Sequence, residues 1–444
     1  MFLLALKDAW QHAQTRQRIW ALAIPMILSN LTVPLVTLVD TAVVGHLPHD
    51  YQLGAVAVGG MIFTTMAWVF GFLRMGATGF AAQAAGKQDN AQLTQIFYQG
   101  LLLAGIIALL IILLAKPVFW LALANMQTST ELQAHAYAYF TTRLWGVPAI
   151  LGSFALTGWL IGIQNAKAAL LMSLASNLIN IVLDVLFVFV LDWGVQGAAR
   201  ASAIAEWAGF LVGFSIAWRV LIRSEDLVKR LKKWANWQPL LGVNRDILVR
   251  SLLLQAVFLV ITIQGGRLGD TTVSANALLL NGLMICSFAL DGLAHALESL
   301  TGHALGANNK LALRRALLLT SSYALLASFV FMLFFLVFGA QFILLQTDIQ
   351  SVFLAAQPYL PYLAVLPLVA VWSYILDGLF IGATKAKEMR NAMLLAVLVS
   401  LPVGYILQPL GNHGLWITFL LFMALRAGFL LIPARHISRW FKPV

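Results

Sequence analysis

Four polar side chains recur at helical spacing along an otherwise apolar stretch, where they could bind a proton or a cation. Ser173, Asn177, Asn180 and Asp184 are three or four residues apart, which places them on one face of a helix. A carboxyl group inside lipid is costly, so it is by default a hypothesis of function. The alternative interpretation is a hydrogen-bond clamp, since amide side chains also join membrane helices.

A second polar stripe lies earlier in the chain. Asn30, Thr37 and Asp40 interrupt a long apolar segment. If the two stripes face each other, two carboxyl groups and three amides share a small cavity. A carboxyl pair of this kind can hold a proton or pair with a cation, but not easily both at once. That exclusion is the physical basis of antiport.

Two prolines stand in the same segment as Asp40. Pro25 and Pro34 each remove one backbone hydrogen bond and bend a helix. A bend near an ionisable group predicts a conformational hinge. A static kink, which membrane helices tolerate, is the alternative.

The amino-acid composition indicates that the helices carrying these polar stripes lie in a membrane. Of the 444 residues, 61% are hydrophobic and 10% are charged, whereas a soluble domain is about 45–50% apolar and about 25% charged. A single cysteine, Cys286, excludes an intramolecular disulfide framework and a cysteine-cluster metal site. The chain is therefore predicted to be an all-α polytopic membrane protein.

Twelve stretches are apolar and long enough to cross a bilayer, which takes about 20 residues each. We predict spans over 20–45, 53–82, 94–122, 133–162, 167–191, 196–222, 246–268, 272–302, 312–340, 352–382, 388–410 and 413–437. With the N-terminus in the cytoplasm, most of the 28 Lys and Arg residues fall in the cytoplasmic connections, and the opposite face keeps only Lys116 and Arg267. This asymmetry predicts a multi-pass protein of a bacterial-type inner membrane with both termini inside, and it accounts for the net charge of +11 as a matter of topology.

The chain repeats itself at an offset of 220 residues. Gly158 and Gly162 recur as Gly378 and Gly382. The acids do not recur, because Val260 stands opposite Asp40 and Gly404 opposite Asp184. We therefore expect two pseudo-symmetric lobes of six spans each, with the acid pair in the first. The predicted organisation is an interfacial N-terminal helix over 1–18, a first lobe over 19–222, a cytoplasmic linker over 223–245 and a second lobe over 246–444.

Three stretches of sequence resemble the MATE multidrug exporters, and among them the DinF-like branch. They are 25–45, 158–184 and 376–393, and the similarity runs over nearly the whole chain. The resemblance implies a V-shaped fold of two six-helix lobes. It also implies alternating access, with export of cationic, lipophilic compounds in exchange for H⁺ or Na⁺.

The resemblance assigns roles to individual positions. Asp40 resembles the ion-coupled acid and Pro25 the bend of the first span. The first-lobe network is completed, on the same resemblance, by Asn180 and Asp184, with Tyr139 and Ser202 as neighbours. From the residues alone, either Tyr137 or Tyr139 points inward, and Arg74, Arg143 and Arg200 are candidates to neutralise acids such as Glu206.

A secondary site in the second lobe is a weaker hypothesis. Asp291 and Asp377 are buried acids there. The sodium-linked NorM-like branch carries a glutamate in the seventh span, where this chain has Gln255, which favours proton coupling through the first lobe.

The leading hypothesis is therefore a drug/H⁺ antiporter that needs no cofactor or metal. Its expected partners are small cationic or amphipathic molecules and the bilayer, without nucleic acid, and we expect a monomer. A flippase or exporter of lipid-like or organic-anion cargo is the alternative. An intramembrane enzyme is disfavoured because no H-E-x-x-H motif or Ser–His pairing is evident, and a channel because no selectivity loop repeats.

Overall fold

The computed structural model describes residues 2–45, 50–124, 129–222 and 236–441, and these ranges contain helices and no strand. Twelve of the helical segments in them are long and apolar enough to cross a membrane, as predicted. In chain order, spans 1 to 12 are Ala13–Gly45, Tyr51–Gly86, Asn90–Leu123, Thr130–Gly162, Ala166–Val190, Gly194–Leu221, Gln238–Arg267, Asp270–Gly306, Lys310–Leu344, Gln350–Gly382, Ala386–Ile406 and Asn412–Ala434.

Three spans contain a local change of helix type. In span 4 a 3₁₀ turn, Leu144–Gly146, separates two α-helical segments, and in span 10 the turn Gln357–Tyr359 does the same. Span 5 ends in a π-helix, Val185–Val190, directly after Asp184. Wide turns of this type are rare and occur often at functional sites.

The turns between spans 2 and 3 and between spans 8 and 9 have the same conformation. Gln88 and Asn308, which are 220 residues apart, both adopt positive φ, at 58° and 51°. In each turn the next residue caps the following helix: Asp89 accepts from the backbone N–H of Gln92, and Asn309 from that of Ala312. The duplication seen in the sequence therefore extends to backbone geometry.

The repeated glycines lie where helices cross at close range. A methyl group at Gly158 would collide with the carbonyl oxygen of Arg74 on span 2. In the second half, a methyl group at Gly378 would collide with the carbonyl oxygen of Ala294 on span 8. Glycine is required at both crossings because two backbones approach each other there, as in other small-residue membrane interfaces.

We expect Gly158→Ala to destabilise the protein by about 1–3 kcal/mol, because the added methyl forces the two helices apart. Thermal unfolding of the purified protein in detergent measures the effect. The matched control is Gly105→Ala, because nothing lies within 4 Å of a methyl group at that position of span 3. Equal unfolding temperatures for the two variants would contradict the close-crossing interpretation.

The chain packs as two compact units. One comprises Met1–Ile27 and Pro239–Val444, and the other comprises Leu28–Gln238. The core of the first is rich in aromatic side chains from span 12, such as Trp416 and Phe422. The division falls within span 1, whereas the predicted first lobe began at residue 19. The linker was predicted to extend to residue 245, but span 7 already begins at Gln238. Residues 223–235 lie outside the described ranges.

The N-terminal helix, Phe2–Gln11, is tied to span 9. The Arg315 guanidinium donates to both carboxylate oxygens of Asp8, at 2.8 and 2.9 Å, and the ring of Tyr323 contacts Trp10 and Trp20. Arg315 holds the pKa of the Asp8 carboxyl below its usual value. The ion pair is therefore lost only as the pH falls through that lowered pKa, although solvent screens its strength.

Candidate functional site

The polar stripes of spans 1 and 5 face each other, and Thr32 links them. Asn177 donates from Nδ2 to the Thr32 hydroxyl over 2.5 Å. That hydroxyl lies 3.3 Å from the hydroxyl of Ser173 and donates to the carbonyl oxygen of Ser29 over 2.7 Å. These residues form one end of a row of polar contacts between spans 1 and 5, called the polar seam, which continues along span 5 to Asp184.

Asp184 lies at the buried end of that seam. Its side chain is 1% exposed and accepts a hydrogen bond from Asn180 Nδ2 at 2.8 Å. Asn180 also reaches the hydroxyl of Ser202 on span 6, at 3.4 Å, and Ser202 donates to the carbonyl oxygen of Ala198. Spans 5 and 6 thus hold the Asp184 carboxyl in one orientation. A buried acid without such partners would not be positioned in this way.

Asp40 meets Asp184 across the seam. The two carboxyl groups are in side-chain contact with each other. A carboxylate oxygen only accepts hydrogen bonds, so two carboxylates at this range repel each other, and one proton shared between them relieves the repulsion. Oδ1 of each aspartate is buried and has no hydrogen-bond partner among the described residues. These oxygens are the acceptors that a further proton or a cation would reach.

Span 4 brings a cation and a phenol to the same region. Arg143 pairs with Glu206 of span 6 at 2.6 Å and lies over the ring of Phe63, 4.3 Å from its centroid. It is within electrostatic range of Tyr139, Asp40 and Asp184 as well.

Of the two tyrosines on span 4, Tyr139 is the buried one. It is 8% exposed and packs against Gly59, while Tyr137 stacks on Trp120 with ring centroids 5.7 Å apart. Arg200 is exposed and interacts with Gln196 and Trp193, so it does not take the role that Arg143 has at Glu206.

The first-lobe cluster is acidic on balance. Three carboxyl groups, those of Asp40, Asp184 and Glu206, share the positive charge of Arg143. Because an unbalanced carboxylate is costly in a low-dielectric environment, the cluster favours uptake of a proton or a cation. His, Cys, Asp and Glu side chains do not gather into a metal-binding group anywhere in the described ranges.

The remaining predicted residues of span 1 are spread along a continuous helix. Asn30 is half-buried, Pro25 is buried and Pro34 is exposed. Pro25 belongs to the compact unit formed by Met1–Ile27 and Pro239–Val444, while Asp40 belongs to the unit Leu28–Gln238. The side chain of Thr37 lies outside the described residues. The hinge role of the two prolines stays a prediction.

The acids of the second half are in a different environment. Asp377 on span 10 is 9% exposed and is bound through Oδ2 by Arg250 of span 7 and by Arg426 of span 12. Asp291 is half-buried within electrostatic range of Arg250, and Gln255 is exposed. Two arginines already neutralise Asp377, so its geometry favours a structural ion pair over a second cation site.

Two features of the first-lobe cluster were missed by sequence reasoning. Thr32 is not on the predicted stripe of span 1, and a hydroxyl between Leu31 and Val33 carries no signal of its own. The π-helix after Asp184 has an entirely apolar sequence, Val185–Val190, which does not distinguish it from an ordinary α-helical turn.

Comparison with known proteins gives consistent results. A sequence model of the MatE family matches the chain twice, over residues 25–186 and 247–406. DNA damage-inducible protein F of Escherichia coli K12 is 40% identical over 92% of this chain and 89% of that protein. A probable multidrug resistance protein NorM of Idiomarina loihiensis is 25% identical over 94% of this chain and 93% of its own length.

The fold is also that of solved transporters. A MOP superfamily transporter from Pyrococcus furiosus superposes with a TM-score of 0.83 at 22% identity, covering 97% of both chains. The two matches of one family model to the two halves agree with the duplicated turns and glycine crossings. The chain therefore belongs to the MatE family of multidrug and toxic compound extrusion proteins, which are multi-pass membrane transporters and not enzymes.

Proposed function

We propose that the chain exports cationic, lipophilic compounds in exchange for H⁺, with the Asp40–Asp184 pair as the coupling group. The observation that carries the proposal is the side-chain contact between these two carboxyl groups, because two acids at this range hold a proton or a cation more readily than they carry two unbalanced charges. The relatives named above are described as a damage-inducible protein and a multidrug resistance protein, and the second description agrees with an efflux role.

The coupling follows from competition for the same oxygens. With its proton, the pair has a single negative charge; without it, two negative charges face each other and attract a cation. Uptake of a proton from the side of higher proton concentration weakens the attraction for the bound cation, which then dissociates there. Each charge state of the pair thus favours a different occupant, as an exchange cycle requires.

The surroundings of the pair support a cation as cargo. Glu206 adds a third carboxyl group, its Oε2 is buried without a partner among the described residues, and Arg143 supplies one positive charge. Tyr139 presents an aromatic ring beside the acids, and aromatic faces attract cations.

Cargo of opposite charge is the second candidate. The Pyrococcus furiosus transporter is described as having a binding pocket of reversed polarity, which suggests a different function for that protein. Fold alone therefore does not determine the cargo. In this chain the acids outnumber the arginine at the first-lobe cluster, so we rank cations above organic anions and lipids.

The setting we propose is a bacterial-type inner membrane with both termini in the cytoplasm, because basic residues concentrate in the connections assigned to that side. We also propose that a monomer is sufficient, since the duplicated chain supplies both lobes. No cofactor enters the cycle. H⁺ is preferred over Na⁺ because Asp377 already pairs with two arginines.

Efflux from proteoliposomes under separately imposed gradients tests this function. We expect ethidium to be transported when a pH gradient alone is applied, and not when a sodium gradient alone is applied. A pH gradient of about one unit supplies about 1.4 kcal/mol per proton, enough for about tenfold accumulation. Transport driven only by sodium would overturn proton coupling, and transport of carboxylate dyes in place of ethidium would overturn the assignment of cations.

A further inference from the structure

A cavity lies within the second half, between spans 7, 11 and 12, and nothing above assigns a role to it. Its volume is about 520 Å³, within the range of about 300–1,000 Å³ that is typical of small-molecule sites. Apolar side chains form most of its wall, among them Val257, Ile261, Phe419 and Phe422. Such a cavity has the size and lining of a binding site for an organic molecule.

The cavity occupies the position that the acid cluster occupies in the first half. Four of its lining residues stand 220 residues after members of that cluster. The pairs are Val260 for Asp40, Ser400 for Asn180, Gly404 for Asp184 and Phe422 for Ser202. The duplication has therefore produced two equivalent sites, and at these four positions the carboxyl and amide groups of the first are replaced by a small or apolar residue or by a hydroxyl.

The polar groups of the cavity point to an anion. Arg267 at the end of span 7 is the charged residue of the described lining, and Gln264 and Gln408 accompany it. No carboxylate is among the lining residues that the structure describes. A cation would meet a like charge here, whereas a phosphate or carboxylate would gain a charge-assisted hydrogen bond.

One buried hydroxyl gives an independent indication of a ligand. Ser400 is 1% exposed, it lines the cavity, and its Oγ has no hydrogen-bond partner among the described residues. A buried hydroxyl without a partner costs free energy that a ligand acceptor recovers. Ser400 therefore adds an unpartnered polar group to the wall of the cavity on span 11.

The depth of the cavity matches a hydrocarbon tail. Its wall on span 7 extends from Val257 to Arg267, which at 1.5 Å per residue is about 15 Å. That is about half of a hydrocarbon core of about 30 Å, or one leaflet. The charged end of the wall lies at a helix end, where the polar group of a membrane-dissolved amphiphile also lies.

We propose that this cavity binds an anionic amphiphile through its anionic group and one hydrocarbon tail. The anionic group lies at Arg267, and the tail packs against Val257, Ile261 and Phe422. The site is separate from the acid pair and does not depend on the proposed antiport. Together with the cation proposed for the first half, the two halves of the chain would bind ligands of opposite charge.

Native mass spectrometry of the purified full-length protein tests this proposal with two matched probes. Dodecyl phosphate and dodecyltrimethylammonium have the same tail and opposite charge. We expect one stoichiometric adduct with the phosphate and at least about tenfold weaker binding of the ammonium. Equal binding of both probes, or binding of neither, would overturn the proposal.

Variants locate the adduct. Val260→Trp fills the cavity and is expected to abolish phosphate binding, whereas Leu259→Trp at the neighbouring exposed position, 60% exposed, retains it. Arg267→Gln changes an exposed side chain and leaves the fold intact; we expect binding about tenfold weaker, while Lys116→Gln, an exposed cation of the other half, has no effect. Full binding by both Val260→Trp and Arg267→Gln would place the adduct elsewhere and refute the site.

The same spectra distinguish two sources of the ligand. If the protein retains an anionic phospholipid after purification and dodecyl phosphate displaces it, the natural occupant is a membrane lipid. If the site is empty as purified and the phosphate binds, the occupant is a transported amphiphile. Both results support the site, and a retained lipid that dodecyl phosphate does not displace counts against it.

Discussion

Asp40→Asn is expected to abolish ethidium export driven by a pH gradient while the protein still folds and inserts. Asparagine keeps the size of the side chain and can donate a hydrogen bond to the Asp184 carboxylate, so the contact between spans 1 and 5 persists. The proton that the carboxyl pair exchanges is lost, and with it the driving force. For a gradient of about one pH unit, accumulation of ethidium should fall by about tenfold, to the level without a gradient.

The matched control for this variant is Asp192→Asn. Asp192 lies in the same compact unit, is exposed, and has a φ of 52°, a conformation that asparagine also adopts readily. We expect the control to transport at the normal rate and Asp184→Asn to behave like Asp40→Asn. Undiminished export by the Asp40 variant, with protein levels equal to those of the control, would remove Asp40 from the coupling step.

Asp377→Asn is expected to have the largest effect on stability. Arg250 and Arg426 are 6% and 4% exposed in their side chains and both bind the same oxygen of Asp377. Removal of the shared carboxylate leaves two buried guanidinium groups without the acid that binds both of them. The free energy of unfolding should fall by about 3–5 kcal/mol, measured by thermal or denaturant unfolding in detergent.

A double variant separates charge balance from other effects. Asp377→Asn combined with Arg426→Gln removes one charge of each sign, so its unfolding temperature should lie closer to that of the wild type than the single variant does. Asp348→Asn, in an exposed connection, is the control for loss of an acid. Unchanged stability of the Asp377 variant together with lost export would instead identify Asp377 as a transport residue.

The sequence was sufficient to predict the twelve spans, because a membrane requires each span to be long and apolar. It also predicted which face of span 5 is polar, since the spacing of Ser173, Asn177, Asn180 and Asp184 is a property of the helix itself. The duplication was visible because its glycines are required by close helix crossings, and required residues keep their spacing.

Contacts between residues far apart in the chain were harder to predict from the sequence. The spacing along one helix defines a face but not the residue opposite it, so Thr32 as the partner of Asn177 emerged only from the fold. The binding of Asp377 by two arginines joins residues 127 and 49 positions away in the chain. Such contacts depend on how three helices pack, and this information is distributed over many apolar residues.

The two halves respond unequally to a membrane voltage. Across 100 mV, one elementary charge moved through the bilayer is worth about 2.3 kcal/mol. In the second half Asp377 and Asp291 formally balance Arg250 and Arg426, and the cavity position opposite Asp40 is Val260, so the field acts on little net charge there. In the exchange proposed for the first half, it acts on a proton and a cation that pass the carboxyl pair in opposite directions. Any electrical work of the proposed cycle is therefore done in the half that carries the carboxyl pair.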